Sequence, residues 1–484
     1  MVEATQNPVV SATTKRWILI VATFGSFMGP FDSSVVNLAI PSIGKALGGS
    51  IASLSWIITS YLIVITTINL ISGRLADIRG RKNTYVIGIG VFVAASALCG
   101  FAPSVPALIG TRMIQAVGAG MMSGNAVALI STFYPANERG RALGILTASI
   151  YSGLSLGPSA GGFLIQYLGW RSIFYVNVPI GIAVMAIAFF MIRGEMPKGK
   201  MEEFDTKGAV VWVAAISLSL LGASTLYSYT YVAIPSLVAG ISALAAFVYI
   251  ESRTEHPLLN LKLLTRNRLF TFTVSTTFLN YASTYGISLV MSLYLRLGLG
   301  LSPSYAGLLL LAQPIVMVIA SPFGGYLSDR VEPRYQVSAA LALMCVAMLS
   351  LSTLNLSSTP VDIVLRLAFL GLGYGFFSSA NVNAAMSTVT KFQYGVAAGI
   401  QNTMRNSGQV ISLAVVTAIL TATLHENASS TVALISVPPN VIVAGARVSL
   451  IILAIINGLG IVLSLSRGKR ESSEPMTTGQ EAVE

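Results

Sequence analysis

Charge is what this chain has least of. Only 10% of its 484 residues are Asp, Glu, Lys or Arg, against about 25% in soluble domains, so lipid rather than water is expected to be its main solvent. Histidine occurs twice, at His256 and His425, far apart, which excludes a His-rich metal site. Cysteine also occurs twice, and Cys99 and Cys345 each lie inside an apolar run. They read as small core residues rather than a disulfide or a metal pair, so no metal and no other cofactor is expected. There is no HExxH, no GxSxG with a plausible partner, and no carboxylate dyad within one apolar run, so an enzyme is disfavoured. A P-loop is lacking too, which removes ATP as an energy source in this chain. The first 16 residues are polar and end Lys15-Arg16. No cleavable leader is evident in them, and the first apolar run is expected to act as its own signal.

What is present is apolar: 54% of the residues are hydrophobic. A bilayer core about 30 Å thick takes roughly 20 apolar residues in a helix. Fourteen segments meet that need: 17–40, 54–72, 84–102, 106–131, 142–166, 173–192, 209–227, 232–250, 270–295, 303–327, 336–355, 361–388, 395–424 and 441–466. The fold class is therefore an all-α integral membrane protein. Alternating the connections between two sides puts 22 Lys and Arg on one side and three (Lys45, Arg171, Arg296) on the other, with four arginines inside segments. By the positive-inside rule both termini are cytoplasmic. The net charge of +11 is thus explained by short cytoplasmic loops, and nucleic acid is not an expected partner. The bilayer is.

The chain carries an internal repeat. Gly73–Asp77 matches Gly325–Asp329 at an offset of 252; Arg112 with Gly118 and Gly120 matches Arg366 with Gly373 and Gly375 at about 254; Gly144 and Gly153 match Gly399 and Gly408 at 255. Three matches in order indicate duplication. The expected organisation is a tail (1–16), a six-helix bundle (17–192), a linker (193–208), two inserted helices (209–250), a second linker (251–269), a second six-helix bundle (270–466) and a polar tail (467–484). The second linker is amphipathic and either lies on the inner membrane surface or is a plain connection. Two parallel halves around a midplane site form a transporter architecture, and rocking one half against the other gives alternating access.

Five motifs carry a resemblance. They are Gly73–Lys82 between the second and third segments; Arg112-Met113-Ile114-Gln115 through Gly120; Gly153-Leu154-Ser155-Leu156-Gly157-Pro158 through Gly161-Gly162; Asp32-Ser33-Ser34-Val35-Val36-Asn37 through Pro41; and Trp170-Arg171 through Asn177-Val178-Pro179-Ile180-Gly181. Together they resemble the major facilitator superfamily and its fourteen-span drug:proton antiporter group. The resemblance implies a proton-driven exporter of small amphipathic compounds in the cell membrane, a multidrug efflux protein. The alternatives are a dedicated exporter of one metabolite or lipid, or an uncoupled facilitator or channel. A monomer is expected.

Asp32 is the only carboxylate deep in an apolar segment, and Asp362 sits at an edge. An ionisable group in a membrane is a functional hypothesis by default. Asp32 and Arg112 both fall roughly 21–22 Å from the cytoplasmic boundary at 1.5 Å per residue. They are expected to face one cavity, with Asp32 taking up and releasing a proton and Arg112 biasing that protonation; the plain alternative is a permanent salt bridge between two helices. Gln115 shares a face with Arg112. Arg405 lies mid-segment on a stripe with Gln401 and Gln409, whereas Arg366 and Arg447 lie near segment ends and read as interfacial anchors. One embedded acid against four arginines disfavours a multivalent cation and suits a neutral, weakly acidic or singly charged cargo. Further cavity walls follow from helical spacing: Asn280, Thr284 and Met291, with Tyr281 and Tyr285 adjacent, and Tyr374, Phe377 and Asn381.

For the loop motif, Gly73 and Gly80 permit tight turns. The resemblance implies that Asp77 caps a facing helix and, with Arg81 and Glu138, latches the cytoplasmic gate; Asp329 is its repeat counterpart. In the motif of Gly153, Gly157, Pro158, Gly161 and Gly162, the Gly157–Pro158 step is expected to bend the helix, and the glycines to permit close packing. The resemblance implies that this bend seals a proton leak.

Overall fold

The computed structural model describes residues 12–134, 136–191, 204–226, 230–254, 258, 264, 267–328, 330–386, 388, 394–427 and 437–467. Among these, regular structure is entirely helical. The helices are α1 (Ala12–Leu47), α2 (Ile51–Arg79), α3 (Arg81–Phe101), α4 (Val105–Phe133), α5 (Ala136–Leu168), α6 (Ser172–Tyr175), α7 (Asn177–Met191), α8 (Thr206–Thr225) and α9 (Thr230–Glu251). They continue as α10 (Arg268–Leu293), a π-turn (Tyr294–Gly298), α11 (Pro303–Leu310), α12 (Ala312–Ser328), α13 (Pro333–Ser352), α14 (Pro360–Met386), α15 (Tyr394–Asn427) and α16 (Pro439–Leu465). With α6 joined to α7 and α11 to α12, these make fourteen long rods. Among the described residues, eleven candidate spans are long and apolar enough to cross a membrane by length and composition. The long helices outside that set are α4, α5 and α10, which carry Arg112 and Gln115, Tyr151, and Asn280 and Tyr281.

Local chemistry starts and stops the rods. The Ser50 hydroxyl accepts from the Ser53 amide at 3.2 Å to begin α2, Asp205 accepts from Gly208 at 2.8 Å to begin α8, and Asn267 accepts from Phe270 at 2.9 Å to begin α10. Each satisfies an amide that the helix leaves open. Gly80 separates α2 from α3 with a φ of +98°, a backbone that a side chain rarely adopts. Large apolar side chains such as Phe101, Phe189 and Tyr231 stand mostly exposed on the outside, as expected where the solvent is lipid.

The packing pattern repeats. In the first part of the chain α1 packs on α5, α2 on α4, α3 on α4, and α7 on α3 and α1; in the second part α10 packs on α15, α12 on α14, α13 on α14, and α16 on α13 and α10. These are the same pairings after the α1-to-α10 shift. Between the parts, α2 packs on α15, α5 on α11 and α1 on α10, the exchange expected of a pseudo-two-fold relation. One close approach shows the repeat in atomic detail. A methyl group on Gly153 would come within 2.6 Å of the Phe27 carbonyl oxygen, and one on Gly408 within 2.5 Å of the Phe278 carbonyl oxygen. The α8–α9 hairpin packs on α2 and α15 at one side of the seam, where Trp212 donates to the Thr67 carbonyl at 3.2 Å. Leu258 and Leu264 of the second linker pack into the same cluster.

At the end of the bundle away from Gly80 the seam is tied shut. Asn37 donates to Ser288 (3.5 Å), Arg296 to Ser42 (3.3 Å), and Ser304 to the Gly162 carbonyl (3.3 Å).

Candidate functional site

α1 runs unbroken through Pro30 and Pro41 and carries Asp32 into the interior of the first seven helices, 1% exposed. Three side chains converge on its carboxylate. Arg112 of α4, fully buried, donates from Nη1 to Oδ2; Gln115, one turn on, donates to Oδ1 at 3.1 Å; Asn177, at the start of α7, donates to Oδ1 at 3.0 Å. Gln115 also accepts from Arg112 at 2.6 Å and donates to Ser96 of α3 at 2.8 Å. The guanidinium lies over the Tyr61 ring of α2, 4.1 Å from its centroid, a cation–π arrangement. Five of the first seven helices thus meet at one ion pair.

Taking two charges out of water costs several kcal/mol each. The network offsets this with three donors on the carboxylate, an aromatic face under the cation, and a 3.4 Å bond from Arg112 Nε to the Ile57 carbonyl. It is still incomplete: Arg112 Nη2 and Asn177 Oδ1 are buried with no hydrogen-bond partner. Asp32 and Arg112 do meet, but the expectation that they face an open cavity needs correction. Both are enclosed, because Tyr61 and Phe174 cover the cation and Asn177 closes the remaining side of the carboxylate. Asn177 belongs to a motif visible in the sequence, yet its partnership with Asp32 depends on bringing together residues 145 positions apart. Ser96 and Tyr61 had no motif to mark them.

The other expected wall residues divide. Tyr281, Tyr374 and Arg405 gather on the seam between the two parts. The Tyr281 and Tyr374 rings meet edge to face at 5.9 Å, and Tyr151 of α5 is hydrogen-bonded to Ser378 of α14 across the seam at 2.6 Å. Arg405 stands close enough to Tyr151 and Tyr374 for its charge to act on both. Gln401 and Gln409 are partly buried on the same helix, one turn to either side of Arg405. Tyr285 is partly buried, within electrostatic reach of Asp32 and Arg112. By contrast Asn280, Thr284, Met291, Phe377 and Asn381 are buried, and several turn inward. Asn280 points at Met344 Sδ (3.7 Å), the Thr284 hydroxyl donates to its own helix, and Asn381 bonds Thr277 (2.8 Å) and the Thr273 carbonyl (3.3 Å). These contacts place Asn280 and Asn381 in helix packing inside the second part.

Asn381 also accepts from Arg467 at 3.2 Å. Counted in the sequence as a loop cation, Arg467 is only 2% exposed, and its Nε and Nη1 have no partner. Burial pushes its guanidinium down to about 10. Arg366 and Arg447, expected as interfacial anchors, grip the end of α13. Arg366 donates to the Ser350 carbonyl and to Asp362, and Arg447 to the Ser352 carbonyl. Cations there complement the open carbonyls of a helix C-terminus.

The small-residue motif of α5 has a direct structural reading. A methyl group on Gly157 would come within 2.5 Å of Ser34 on α1, one on Gly161 within 2.5 Å of Val35 on α1, and one on Gly162 within 2.5 Å of the Pro303 carbonyl on α11. α5 therefore lies tight against α1 beside Asp32 on one side and against the second part on the other. α5 is continuous from Ala136 to Leu168 with Pro158 inside it. Proline removes the amide that would serve the Leu154 carbonyl, and Ser34 of α1 donates to that carbonyl at 3.2 Å instead.

At the loop motif, Gly73 is partly buried and Gly80 makes the turn. The side chain of Asp77 and all of Asp329 lie outside the described residues. Arg81 is partly buried. Glu138, expected to join the Asp77–Arg81 latch, pairs instead with Lys15 at 3.1 Å, next to Tyr134, whose hydroxyl donates to the Lys15 carbonyl at 2.8 Å. This ties the start of α1 to the α4–α5 corner.

Comparison with known proteins decides the family. The Major Facilitator Superfamily profile matches residues 22–413 and 273–482. The chain belongs to the major facilitator superfamily. Among curated members, it is 31% identical over 400 residues to a riboflavin transporter of Clostridioides difficile, covering 81% of this chain and 85% of the relative. It is 30% identical to the multidrug resistance protein Stp of Mycobacterium tuberculosis (85% and 77%) and 32% identical to a cephamycin export protein of Amycolatopsis lactamdurans (83% and 84%). Among solved structures, an inward-facing bacterial homologue of the lysosomal transporter Spinster superposes with a TM-score of 0.68 at 14% identity, over 95% of this chain and 98% of that one. The xylose transporter XylE of E. coli gives 0.62 at 15% identity, over 93% and 98%. These two likenesses concern the fold. As a superfamily member with many membrane-spanning helices, the protein is a multi-pass membrane transporter.

Proposed function

We propose that this transporter is a proton-driven antiporter exporting small amphipathic organic compounds by alternating access. In this reading it crosses the membrane fourteen times as a member of the drug:proton antiporter group. Residues 17–192 and 270–466 form the two moving bundles, 209–250 is an inserted pair, and both termini are cytoplasmic. It acts as a monomer, with the bilayer, protons and its cargo as partners. Relatives bearing the names multidrug resistance protein and cephamycin export protein support export, and one named riboflavin transporter supports a small organic cargo.

The observation that carries the reading is the buried Asp32, held by Arg112, Gln115 and Asn177. Ionised, its two oxygens take all three donors. A proton arriving on the carboxyl turns one oxygen into a donor that needs an acceptor. Asn177 Oδ1 is buried without a partner, and a half-turn of that amide presents it. Protonation then weakens the hold on Arg112 and re-pairs α1 with α7. α1 also carries Asn37, bonded to Ser288 across the seam, so a change at Asp32 is transmitted to the sealed end. The cargo equilibrium and the proton equilibrium bias one two-state element, which is what coupling requires.

The test is transport by the full chain in proteoliposomes with an imposed pH gradient, on a panel of dyes, antibiotics and organic acids. Accumulation that follows the gradient, and vanishes in Asp32→Asn, is expected. Flux indifferent to the gradient would establish an uncoupled facilitator instead. Movement of a single compound from the panel would mark a dedicated exporter.

A further inference from the structure

From the seam we infer the chemical class of the cargo: an aromatic compound carrying an acidic group, its anion read by Arg405 and its ring by Tyr281 and Tyr374. The inference rests on the exporter reading for the use of the site, but it concerns binding and not proton coupling.

The argument starts with a charge census. Asp32 and Arg112 neutralise each other within the first part. Arg366 is paired with Asp362, Arg447 is spent on the end of α13, and Arg467 is enclosed against Asn381. Arg405 is partly exposed and makes no hydrogen bond or ion pair with any described residue. It lies 11 residues into α15, so about 16 Å from the helix start, near mid-membrane. A charged guanidinium with open donors at that depth either meets lipid or meets the translocation route. α15 packs on α10 of its own part and on α2 of the other, and Tyr151 of the first part and Tyr374 of the second both lie within reach of the Arg405 charge, so Arg405 lies on the seam.

The surroundings are built for an aromatic anion. Tyr281 and Tyr374 are crossed at 84°, an edge-to-face aromatic pair of the kind that packs against a further ring. Tyr281 is held in place by α15 itself, because a methyl on Gly408 would come within 3.1 Å of the Tyr281 Cβ. The Tyr151–Ser378 bond crosses the seam. It must break when the two parts separate, which frees two hydroxyls beside the cation. No described carboxylate other than the paired Asp32 lies at this depth, so a cationic cargo would meet Arg405 without compensation, while a carboxylate or phenolate would complete it. Hydrogen bonds to charged groups are the stronger kind.

The test is equilibrium dialysis of the full chain in nanodiscs, at one pH on both sides. The probes are 2-naphthoate, methyl 2-naphthoate and 2-naphthyltrimethylammonium, and the anthraquinone-2-carboxylate acid and ester pair. The acids should bind on the order of ten-fold more tightly than their esters, and the ammonium compound most weakly. Arg405→Gln should erase the acid preference while leaving ester binding in place, and Arg405→Lys should retain part of it. Tyr374→Leu should weaken acid and ester alike. Should Arg405→Gln not fold, the wild-type ranking and the Lys variant still decide the matter. Equal binding of acid and ester on both frames, no binding of either acid, or an acid preference that survives Arg405→Gln, would overturn the inference. With no gradient present, a protein that binds acids selectively but lacks proton-driven transport would leave this inference standing and refute the antiporter reading alone.

Discussion

Replacing Asp32 by Asn removes the anion but keeps the side chain's shape, which makes the cost calculable from its neighbours. Asn can still accept from Arg112 with its one oxygen. Its amide nitrogen then faces Gln115 Nε2 and Asn177 Nδ2, both donors. Asn177 can turn, because its Oδ1 has no partner to lose. Gln115 cannot turn freely, because its Oε1 accepts from Arg112 at 2.6 Å. The variant therefore carries one donor–donor conflict and one buried guanidinium without a counter-charge. Breaking a buried pair at one end costs 3–5 kcal/mol; the Tyr61 ring and the Gln115 and Ile57 oxygens remain on Arg112 and place the expected loss near the lower bound, at about 3 kcal/mol. Unfolding by SDS titration in mixed micelles reads this. The double variant Asp32→Asn/Arg112→Gln should be more stable than Asp32→Asn alone, since it removes the orphaned charge. In transport, Asp32→Asn should still bind cargo but not concentrate it against a gradient. A single variant within about 0.5 kcal/mol of wild type, or a double variant whose loss equals the sum of the singles, would refute the account of this network.

Three further outcomes follow from other parts of the molecule. Arg467→Met removes a buried cation held by a single hydrogen bond and should raise stability by about 2 kcal/mol in the same titration. The folded guanidinium lies below its unfolded value, so the unfolded chain binds more protons between about pH 10 and the ordinary arginine range. The penalty is full below that window and fades within it, and the gain from Met should therefore be flat from pH 6 to 9. Ser34→Ala leaves the Leu154 carbonyl open opposite Pro158 and should cost about 1 kcal/mol, while in a Pro158→Ala background the cost should shrink, because the helix amide returns. Glu138→Gln breaks only a solvent-exposed pair with Lys15 and should shift stability by less than about 1 kcal/mol; a larger loss would show that the α1–α5 corner carries strain not visible in its contacts.

The positions at which the two levels of reading diverge share one cause. Spacing along a helix reports which residues share a face, but not what that face meets. Asn280 and Tyr281 are adjacent, and only packing turns the amide toward Met344 and the ring toward Tyr374. Arg467 follows the last apolar run and counts as a loop cation until α16 is packed beside α10 and α13, when Asn381 closes over it. The motif points Glu138 to the Asp77–Arg81 latch, whereas the packing of α1 on α5 brings Lys15 within 3.1 Å of it.

Taken alone, the sequence determined the helical class, the apolar rods, the repeat and the solitary acid, because each is a property of composition or period: oil requires helices, and an isolated charge in oil stands out wherever it falls. It also marked Arg112 as the depth-matched partner, since rise per residue is constant. The tertiary structure decided that Asn177, Ser96 and Tyr61 complete the ion pair, that Ser34 answers for Pro158, and that Arg405 is left facing the seam. Those facts depend on which helices lie side by side, a choice made by small residues such as Gly153, Gly161 and Gly408 that permit a close approach without naming what will approach.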